Sequence, residues 1–176
     1  MDTWLLETER LRIKEVDEEI AKRVSENIND GEDMTSFMKS IPESVLKEAI
    51  ADSNQVLAFV KAIASAHMTK DVIRFGAWTH ADELIAYVGL SNVSTEVSEL
   101  QIMVMREHQG EGYATELLTA LIPYLFKKYG FDRIVYRLRT NNIPSEKLIN
   151  KLGGVIQKPN SRIEELTVKT YHIVRS

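Results

Sequence analysis

The sequence predicts a single α/β domain with a central mixed, mostly antiparallel sheet of about seven strands and with helices on both faces. Three observations predict this class. Apolar side chains alternate with period two in several stretches of residues 72–105 that short turns separate. A strand–helix–strand unit follows at 97–139, and its length favours a parallel pair of strands. The 176 residues can bury one core without disulfides, and no linker or repeat divides them, so residues 1–176 are expected to form one domain.

The first third of the chain predicts one strand followed by helices. Loose alternation of apolar and basic residues at 4–14 predicts the first strand. Asp17 is a suitable N-cap for a short helix that ends near Asn27. Helical spacing of apolar residues in 33–70 predicts two or three more helices, which we expect to form part of the core or a lid.

The middle of the chain predicts three adjacent antiparallel strands, at 72–79, 84–92 and 97–105. Short turns that include 81–83 and 94–96 separate them, and connections of this length suit hairpins. Apolar side chains alternate along the third strand, which therefore has one dry face and one mixed face.

That third strand leads into a turn with two glycines and then into a helix. From Tyr113 the apolar spacing changes to three and four, which is typical of an amphipathic helix, and Gly130 suits its end. Gly110 and Gly112 permit positive φ angles and a close approach of the backbone to a ligand. Because the free N–H groups at a helix start favour an anion, the segment is a candidate phosphate-binding turn.

A second strand–helix pair follows this helix. Residues 133–139 predict a strand, and Asn141 or Asn142 is placed to cap the next helix. Ligands of open α/β sheets bind beyond the carboxyl ends of the strands. A cleft is therefore predicted between Met105 and Arg139.

The last part of the chain predicts two strands, at 155–158 and 166–174. A polar loop at 159–165 connects them. The full order is strand, helices, three strands, helix, strand, helix and two strands, which gives the sheet of about seven strands.

Composition excludes several classes of site and location. The absence of cysteine removes disulfides, thiolate metal sites and a cysteine nucleophile, and the four scattered histidines form no HExxH pair, so we expect no metal. A net charge of -4 without a basic run argues against nucleic acid as a partner and leaves room for a cationic substrate. The charged N-terminus and the interrupted apolar run at 56–66 predict a cytoplasmic protein without a membrane segment.

Two glycines in a turn are a weak signal by themselves. The simplest alternative is a strand-to-helix connection that binds nothing. A dinucleotide-binding turn requires a third glycine where Thr115 stands, and Asp132 precedes a strand instead of ending one. A P-loop is excluded because no Gly-Lys-Ser/Thr follows.

The segment QGEGYA at 109–114 resembles the Gln/Arg-x-x-Gly-x-Gly/Ala pattern of the GNAT superfamily of N-acetyltransferases. The resemblance is good over 3–16 and 84–157 and loose over 33–70. Five further segments are similar to the branch that contains the ribosomal-protein N-α-acetyltransferases: LETERLRIKEV at 6–16, SEL at 98–100, GYATE at 112–116, NIPS at 142–145 and KLG at 151–153.

This resemblance implies the GNAT sheet, splayed between its fourth and fifth strands, and a site for acetyl-coenzyme A. In the family, backbone N–H groups of the glycine turn hold the pyrophosphate, and the splayed strand pairs with the pantetheine arm, where an N–H polarises the thioester carbonyl. Asn142 would bind pantetheine in addition to capping its helix. The implied cofactor-binding residues are Met103, Val104, Met105, Gln109, Gly110, Glu111, Gly112, Tyr113, Ala114 and Asn142.

An alkylammonium with a pKa of about 10.4 is nearly all protonated at pH 7, so a base that acts directly or through water is useful for acetyl transfer to an amine. Glu99, on the mixed strand face, either takes this proton or binds a cationic acceptor; His108 is a second candidate base. Ser145 would lie near the sulfur, where it or a water protonates the thiolate, unless the thiolate leaves unaided. Ile149 occupies the place of the tyrosine that many relatives use as general acid. Glu116 is expected to be structural or to face the acceptor.

The sequence therefore predicts an acetyl-coenzyme A-dependent N-acetyltransferase. It would transfer acetyl directly, in a ternary complex, to the primary amine of a protein N-terminus or a small molecule. The alternatives are a coenzyme A-binding regulatory module without catalysis and, disfavoured by its motif, a dinucleotide-dependent oxidoreductase. No nucleic acid, membrane or metal is expected as a partner, and the chain is compatible with a monomer or a homodimer.

Overall fold

The computed structural model describes residues 4–15 and 72–176. The helices predicted at 17–27 and 33–70 lie outside the described residues. The strands are β1 (Leu6–Glu7), β2 (Leu11–Glu15), β3 (Val72–Thr79), β4 (Leu84–Ser91), β5 (Val97–Val104), β6 (Arg133–Arg139), β7 (Val155–Ile156) and β8 (Val168–Val174). The helices are α1 (Tyr113–Tyr129), α2 (Ile143–Lys151) and α3 (Arg162–Thr167), and a 3-10 turn spans Arg106–His108.

The strands form one sheet in the order β1-β2-β3-β4-β5-β6-β8-β7. Neighbours from β1 to β5 are antiparallel, β5 and β6 are parallel, and β8 is antiparallel to β6 and β7. The predicted mixed, mostly antiparallel sheet is confirmed.

The parallel pair β5–β6 separates soon after it begins. Its register covers Val97 with Arg133, Ser98 with Ile134, and Glu99 with Val135. Both strands continue beyond these partners, so their carboxyl ends diverge and leave a gap in the sheet.

α1 covers one face of the sheet on both sides of this gap. Leu100 and Ile102 of β5 belong to the same buried cluster as Leu117 and Leu118 of the helix. The helix ends as predicted at Gly130, whose φ of 68° is left-handed and whose N–H donates to the Phe126 carbonyl. This packing fixes the start of α1 beside the end of β5.

The opposite face of the sheet carries the alternate side chains. Tyr87 and Met103 are cross-strand partners on this face, and both are buried. Trp78, also buried, packs edge-on against Trp4 with ring centroids 5.7 Å apart. Trp78 and Tyr87 are therefore interior side chains.

The prediction of one strand at 4–14 is wrong, because the structure has two short strands there, β1 and β2. Thr8 makes the turn between them, because its N–H donates to the Leu11 carbonyl at 2.8 Å and its hydroxyl accepts from the Leu11 N–H at 3.0 Å. The sheet therefore has eight strands where about seven were predicted.

The prediction of a polar loop at 159–165 is also wrong, because α3 begins at Arg162 within this segment. Ser161 caps this helix by accepting a hydrogen bond from the Glu164 N–H at 3.1 Å. Glu164 reaches back to the Asn160 N–H at 2.7 Å. These two bonds resemble a capping box, with the return bond made by the residue before the N-cap. The helix delays the last strand to Val168.

Candidate functional site

A cleft of about 570 Å³ lies where β5 and β6 diverge, as predicted between Met105 and Arg139. This volume is within the usual range for small-molecule sites. The cleft joins the end of β5, the glycine turn and the starts of α1 and α2. The predicted residues that line it are Met103, Val104, Gln109, Gly110, Gly112, Tyr113, Ala114, Asn142 and Ser145.

The glycine turn has the backbone conformation that its sequence predicted. Gly110 and Gly112 have φ angles of 79° and 81°, in the left-handed region that side chains disfavour. A Cβ added at Gly110 would meet no atom within 4 Å, so this turn faces open space. Gly112 caps α1 without any side-chain hydrogen bond. The first N–H groups of α1 are therefore available to an anion in the cleft.

Side chains around the turn hold it in place. Gln109 donates from Nε2 to the Val104 carbonyl at 3.1 Å. The His108 ring lies 3.0 Å from a Glu83 oxygen through Nε2 and 3.6 Å from a Glu111 oxygen through Nδ1. Its edge also packs on Tyr113, with ring centroids 5.9 Å apart. His108 thus connects the hairpin turn to the glycine turn, a bracing position that does not favour its use as the base.

Only part of the predicted strand backbone faces the gap. The Met105 N–H donates to the Ile85 carbonyl at 2.8 Å, so it is already used within the sheet. In antiparallel strands the backbone groups of alternate residues face the same neighbour, which directs those of Met103 toward β4 as well. The groups of Ile102 and Val104 face the gap. The prediction for Met105 is therefore corrected: its N–H cannot be the donor to a bound group.

The start of α2 forms the opposite wall of the cleft. Asn142 is the N-cap, and its Oδ1 accepts from the Ser145 N–H at 3.2 Å. Ser145 lines the cleft, whereas Ile149 is completely buried in the core one turn later. Beneath Ser145 lies Tyr136, which the sequence did not single out. Burial raises the pKa of Tyr136, and the Ser145 side chain opposes that rise.

Glu99 is on the sheet face opposite α1, at the last paired position before the gap, and does not line the cleft itself. Its side chain is 15% exposed, and Oε2 accepts from Nη1 of Arg137 at 2.8 Å. Burial raises the pKa of Glu99, and the Arg137 charge opposes this shift. Arg137 is a partner of Glu99 that the sequence did not supply.

Glu116 bonds to the turn between β1 and β2 instead of lining the cleft. Its Oε2 accepts from Nε of Arg10 at 2.6 Å. The structural alternative for this residue is therefore favoured over the acceptor-facing one. Lys147 and Lys151 line the cleft and are cationic side chains within reach of an anionic ligand.

Residues 4–15 and 72–176 contain neither a candidate metal cluster nor a membrane-crossing helix. This part of the chain has no group of three or more His, Asp or Glu side chains that could hold a metal ion. Its helices include none that is long and apolar enough to cross a membrane.

A family model described as an acetyltransferase (GNAT) domain matches residues 10–155. The chain is 28% identical over 150 residues to the uncharacterized N-acetyltransferase p20 of Bacillus licheniformis, covering 84% of this chain and 80% of that protein. It is 24% identical over 152 residues to the uncharacterized N-acetyltransferase YoaA of Bacillus subtilis, covering 85% and 81%.

Solved structures share the fold at low sequence identity. A spermidine N-acetyltransferase from Vibrio cholerae, in complex with CoA and spermine, superposes with a TM-score of 0.70 at 20% identity, covering 95% of this chain and 96% of that one. RimL, a ribosomal L7/L12 α-N-protein acetyltransferase in complex with coenzyme A, gives a TM-score of 0.72 at 11% identity, with 98% of each chain covered.

Proposed function

Because this chain belongs to the acetyltransferase (GNAT) family and is an N-acetyltransferase, we propose that it transfers the acetyl group of acetyl-coenzyme A directly to a primary amine in a ternary complex. The observation that carries this proposal is the glycine turn, which opens the uncapped start of α1 onto a cleft between two diverging strands. A cleft with an anion site at one end suits a long donor with a pyrophosphate.

The backbone of residues 109–114 would hold that pyrophosphate. The absence of a Cβ at Gly110 and Gly112 leaves the approach open, and the first N–H groups of α1 supply donors without a competing cap. These features fit the group: the anion would meet backbone dipoles at the positive end of a helix. Lys147 and Lys151 line the same cleft and add positive charge.

The pantetheine arm would lie along the gap between β5 and β6. The Val104 N–H faces this gap and is the candidate donor to the thioester carbonyl, where developing negative charge is stabilised. The Val104 carbonyl already accepts from Gln109, which keeps this end of the strand in place. Asn142 would bind the arm from the other side with its amide nitrogen, since its oxygen caps α2.

Glu99 would act on the acceptor amine from the opposite face of the sheet. Its position at the last paired residue of β5 puts the carboxylate where the gap opens, while the donor occupies the α1 side. Burial raises the pKa of Glu99, and the Arg137 charge opposes this rise. A raised pKa makes the carboxylate a stronger base, which would take the proton directly or through a water.

The transfer forms an N–C bond as the C–S bond of the thioester breaks. The proton lost by the amine goes to Glu99, and the leaving thiolate gains one from Ser145 or from water. Ser145 lines the cleft, whereas the buried Ile149 cannot serve, so the acid differs from the tyrosine used by many relatives. The acceptor is proposed as a primary amine of a small molecule or of a protein N-terminus, the two classes that the structural neighbours' names mention.

Two measurements test this function. Isothermal titration should show binding of acetyl-coenzyme A, and a thiol-release assay should show turnover with at least one amine from a panel of polyamines, peptides with free N-termini and aminoglycosides. Absence of binding would overturn the proposal. Binding without thiol release above background across the panel would favour the alternative, a coenzyme A-binding module without catalysis.

A further inference from the structure

The first turn of α1 contains an acidic residue beside the proposed anion site. Glu116 is four residues after Gly112, and its N–H closes the first helical bond by donating to the Gly112 carbonyl at 3.1 Å. A carboxylate favours a helix start, but it competes with and repels a pyrophosphate that binds there. The structure indicates how this conflict is resolved.

Three donors from the turn between β1 and β2 surround the Glu116 carboxylate. The Thr8 hydroxyl and the Arg10 N–H donate to Oε1 at 2.5 Å and 2.9 Å, and Nε of Arg10 donates to Oε2 at 2.6 Å. Partial burial acts to raise the pKa of Glu116, yet the hydrogen bonds from Thr8 and Arg10 hold it below its ordinary value. The carboxylate is thus ionised and fully paired.

Arg10 also reaches the glycine turn itself. Its Nη1 donates to the Glu111 carbonyl at 3.0 Å, which holds the peptide between the two glycines. Its guanidinium carbon lies 4.1 Å from the Tyr113 ring centroid, and Nη2 is the atom nearest to a Cβ placed on Gly112, at 3.7 Å. One side chain therefore touches the turn, the cap and the first turn of α1.

We propose that Arg10 is a positioning residue for donor binding: it neutralises Glu116 and holds the Glu111 carbonyl, so that the glycine turn presents N–H groups to the pyrophosphate. This inference rests on the proposed function of the same cleft. Arg10 does not need to touch the donor, because it acts through Glu116 and through the backbone of the turn.

The geometry requires a guanidinium. Nε and Nη1 donate in the same plane to two different acceptors, Glu116 and the Glu111 carbonyl. The single ammonium group of a lysine lacks this fixed fork. Arg10→Lys should therefore keep part of the charge effect and lose the hold on the turn.

Charge rescue separates this role from a merely structural one. Acetyl-coenzyme A would be titrated by calorimetry into the intact protein and into Arg10→Met, Glu116→Gln and the double variant. Arg10→Met leaves the Glu116 carboxylate without its cation, although the Thr8 hydroxyl and the backbone N–H of residue 10 still donate to it, and should weaken binding by about 3- to 30-fold. The double variant should bind more tightly than Arg10→Met, because the repulsive charge is gone, but less tightly than the unmodified protein, because the hold on the Glu111 carbonyl is still lost. Glu116→Gln alone should bind no more weakly than the unmodified protein. Raising the salt concentration should reduce the defect of Arg10→Met, since exposed charges are screened.

Arg12→Met is the matched control, because Arg12 lies two residues after Arg10, in β2, and pairs with Asp82 instead of with Glu116 or the glycine turn. It should leave the dissociation constant within twofold. The inference is overturned if the double variant binds as weakly as Arg10→Met, or if Glu116→Gln binds as weakly as Arg10→Met. Should Arg10→Met not fold, the Glu116→Gln result decides alone. Failure of the unmodified protein and Arg12→Met to bind would instead overturn the proposed function.

Discussion

Gly110 and Gly153 offer a matched pair of substitutions that tests the donor site directly. Each glycine has a φ of 79°, and a Cβ added to either meets no atom within 4 Å. Only Gly110 lines the cleft; Gly153 follows the end of α2 and lies outside it. Replacement of each by alanine therefore imposes the same backbone strain at two places that differ in their relation to the proposed pyrophosphate.

The magnitudes follow from this geometry. A left-handed backbone costs an L-residue about 1–2 kcal/mol, so both variants should lose similar stability and melt a few degrees lower. At Gly110 the new methyl group also projects into the space proposed for the anion and displaces it from a charge-assisted hydrogen bond. The loss of one such bond is worth about 1.5–3 kcal/mol, or roughly 10- to 150-fold in the dissociation constant.

Isothermal titration of acetyl-coenzyme A into both variants measures this difference, and thermal melts confirm that each is folded. We expect Gly153→Ala to bind within about twofold of the unmodified protein. Equal affinity of Gly110→Ala and Gly153→Ala would refute the reasoning, because the glycine turn would then be a connection without a ligand.

Three further predictions concern the reaction and use the amine that gives the most thiol release. Glu99→Gln should lower kcat/KM by about 10²- to 10⁴-fold with donor affinity unchanged. The control Glu96→Gln, on the exposed turn before β5, should have no effect on kcat/KM. Full activity of Glu99→Gln would show that Glu99 is not the base. Arg137→Gln removes the cation that opposes the rise in the pKa of Glu99, so the acidic limb of kcat/KM should move to higher pH, and a limb that stays in place would contradict the assignment. Ser145→Ala should lower kcat at least about tenfold, because Ser145 is the candidate proton donor to the leaving thiolate. An unchanged kcat would mean that water protonates the thiolate instead. Adding Ile149→Tyr to Ser145→Ala should not restore kcat, because Ile149 is completely buried. The larger side chain should overpack the core and lower the free energy of unfolding by about 1–3 kcal/mol, which urea unfolding measures.

Much of the described fold could be predicted because its signals are local. Period-two alternation located β3 to β6, and the Gly130 terminator located the end of α1. The errors came from short features whose signals depend on a few side chains. The turn at Thr8 lies within an alternating stretch, so β1 and β2 resembled one continuous strand. Ser161 followed three residues later by Glu164 is a helix-start spacing, but the polar composition of 159–165 favoured a loop.

The candidate site was predictable where backbone conformation controls it and unpredictable where distant segments meet. Gly110 and Gly112 show their conformation through residue type. The contact between Arg10 and Glu116 joins segments more than 100 residues apart, so no local pattern contains it. Arg137 could have been placed near Glu99 by combining strand alternation with the parallel register, but that register was known only from the structure.

The short seam between β5 and β6 divides the sheet into two parts. Three pairs of residues join them along the backbone, and the ion pair of Glu99 with Arg137 spans the same point. A donor lying in the gap would hydrogen-bond to the diverging ends of both β5 and β6, and so would connect the two parts of the sheet where they do not pair with each other. The candidate base Glu99 stands at the last pair of that seam, next to the place where the donor would join the two parts.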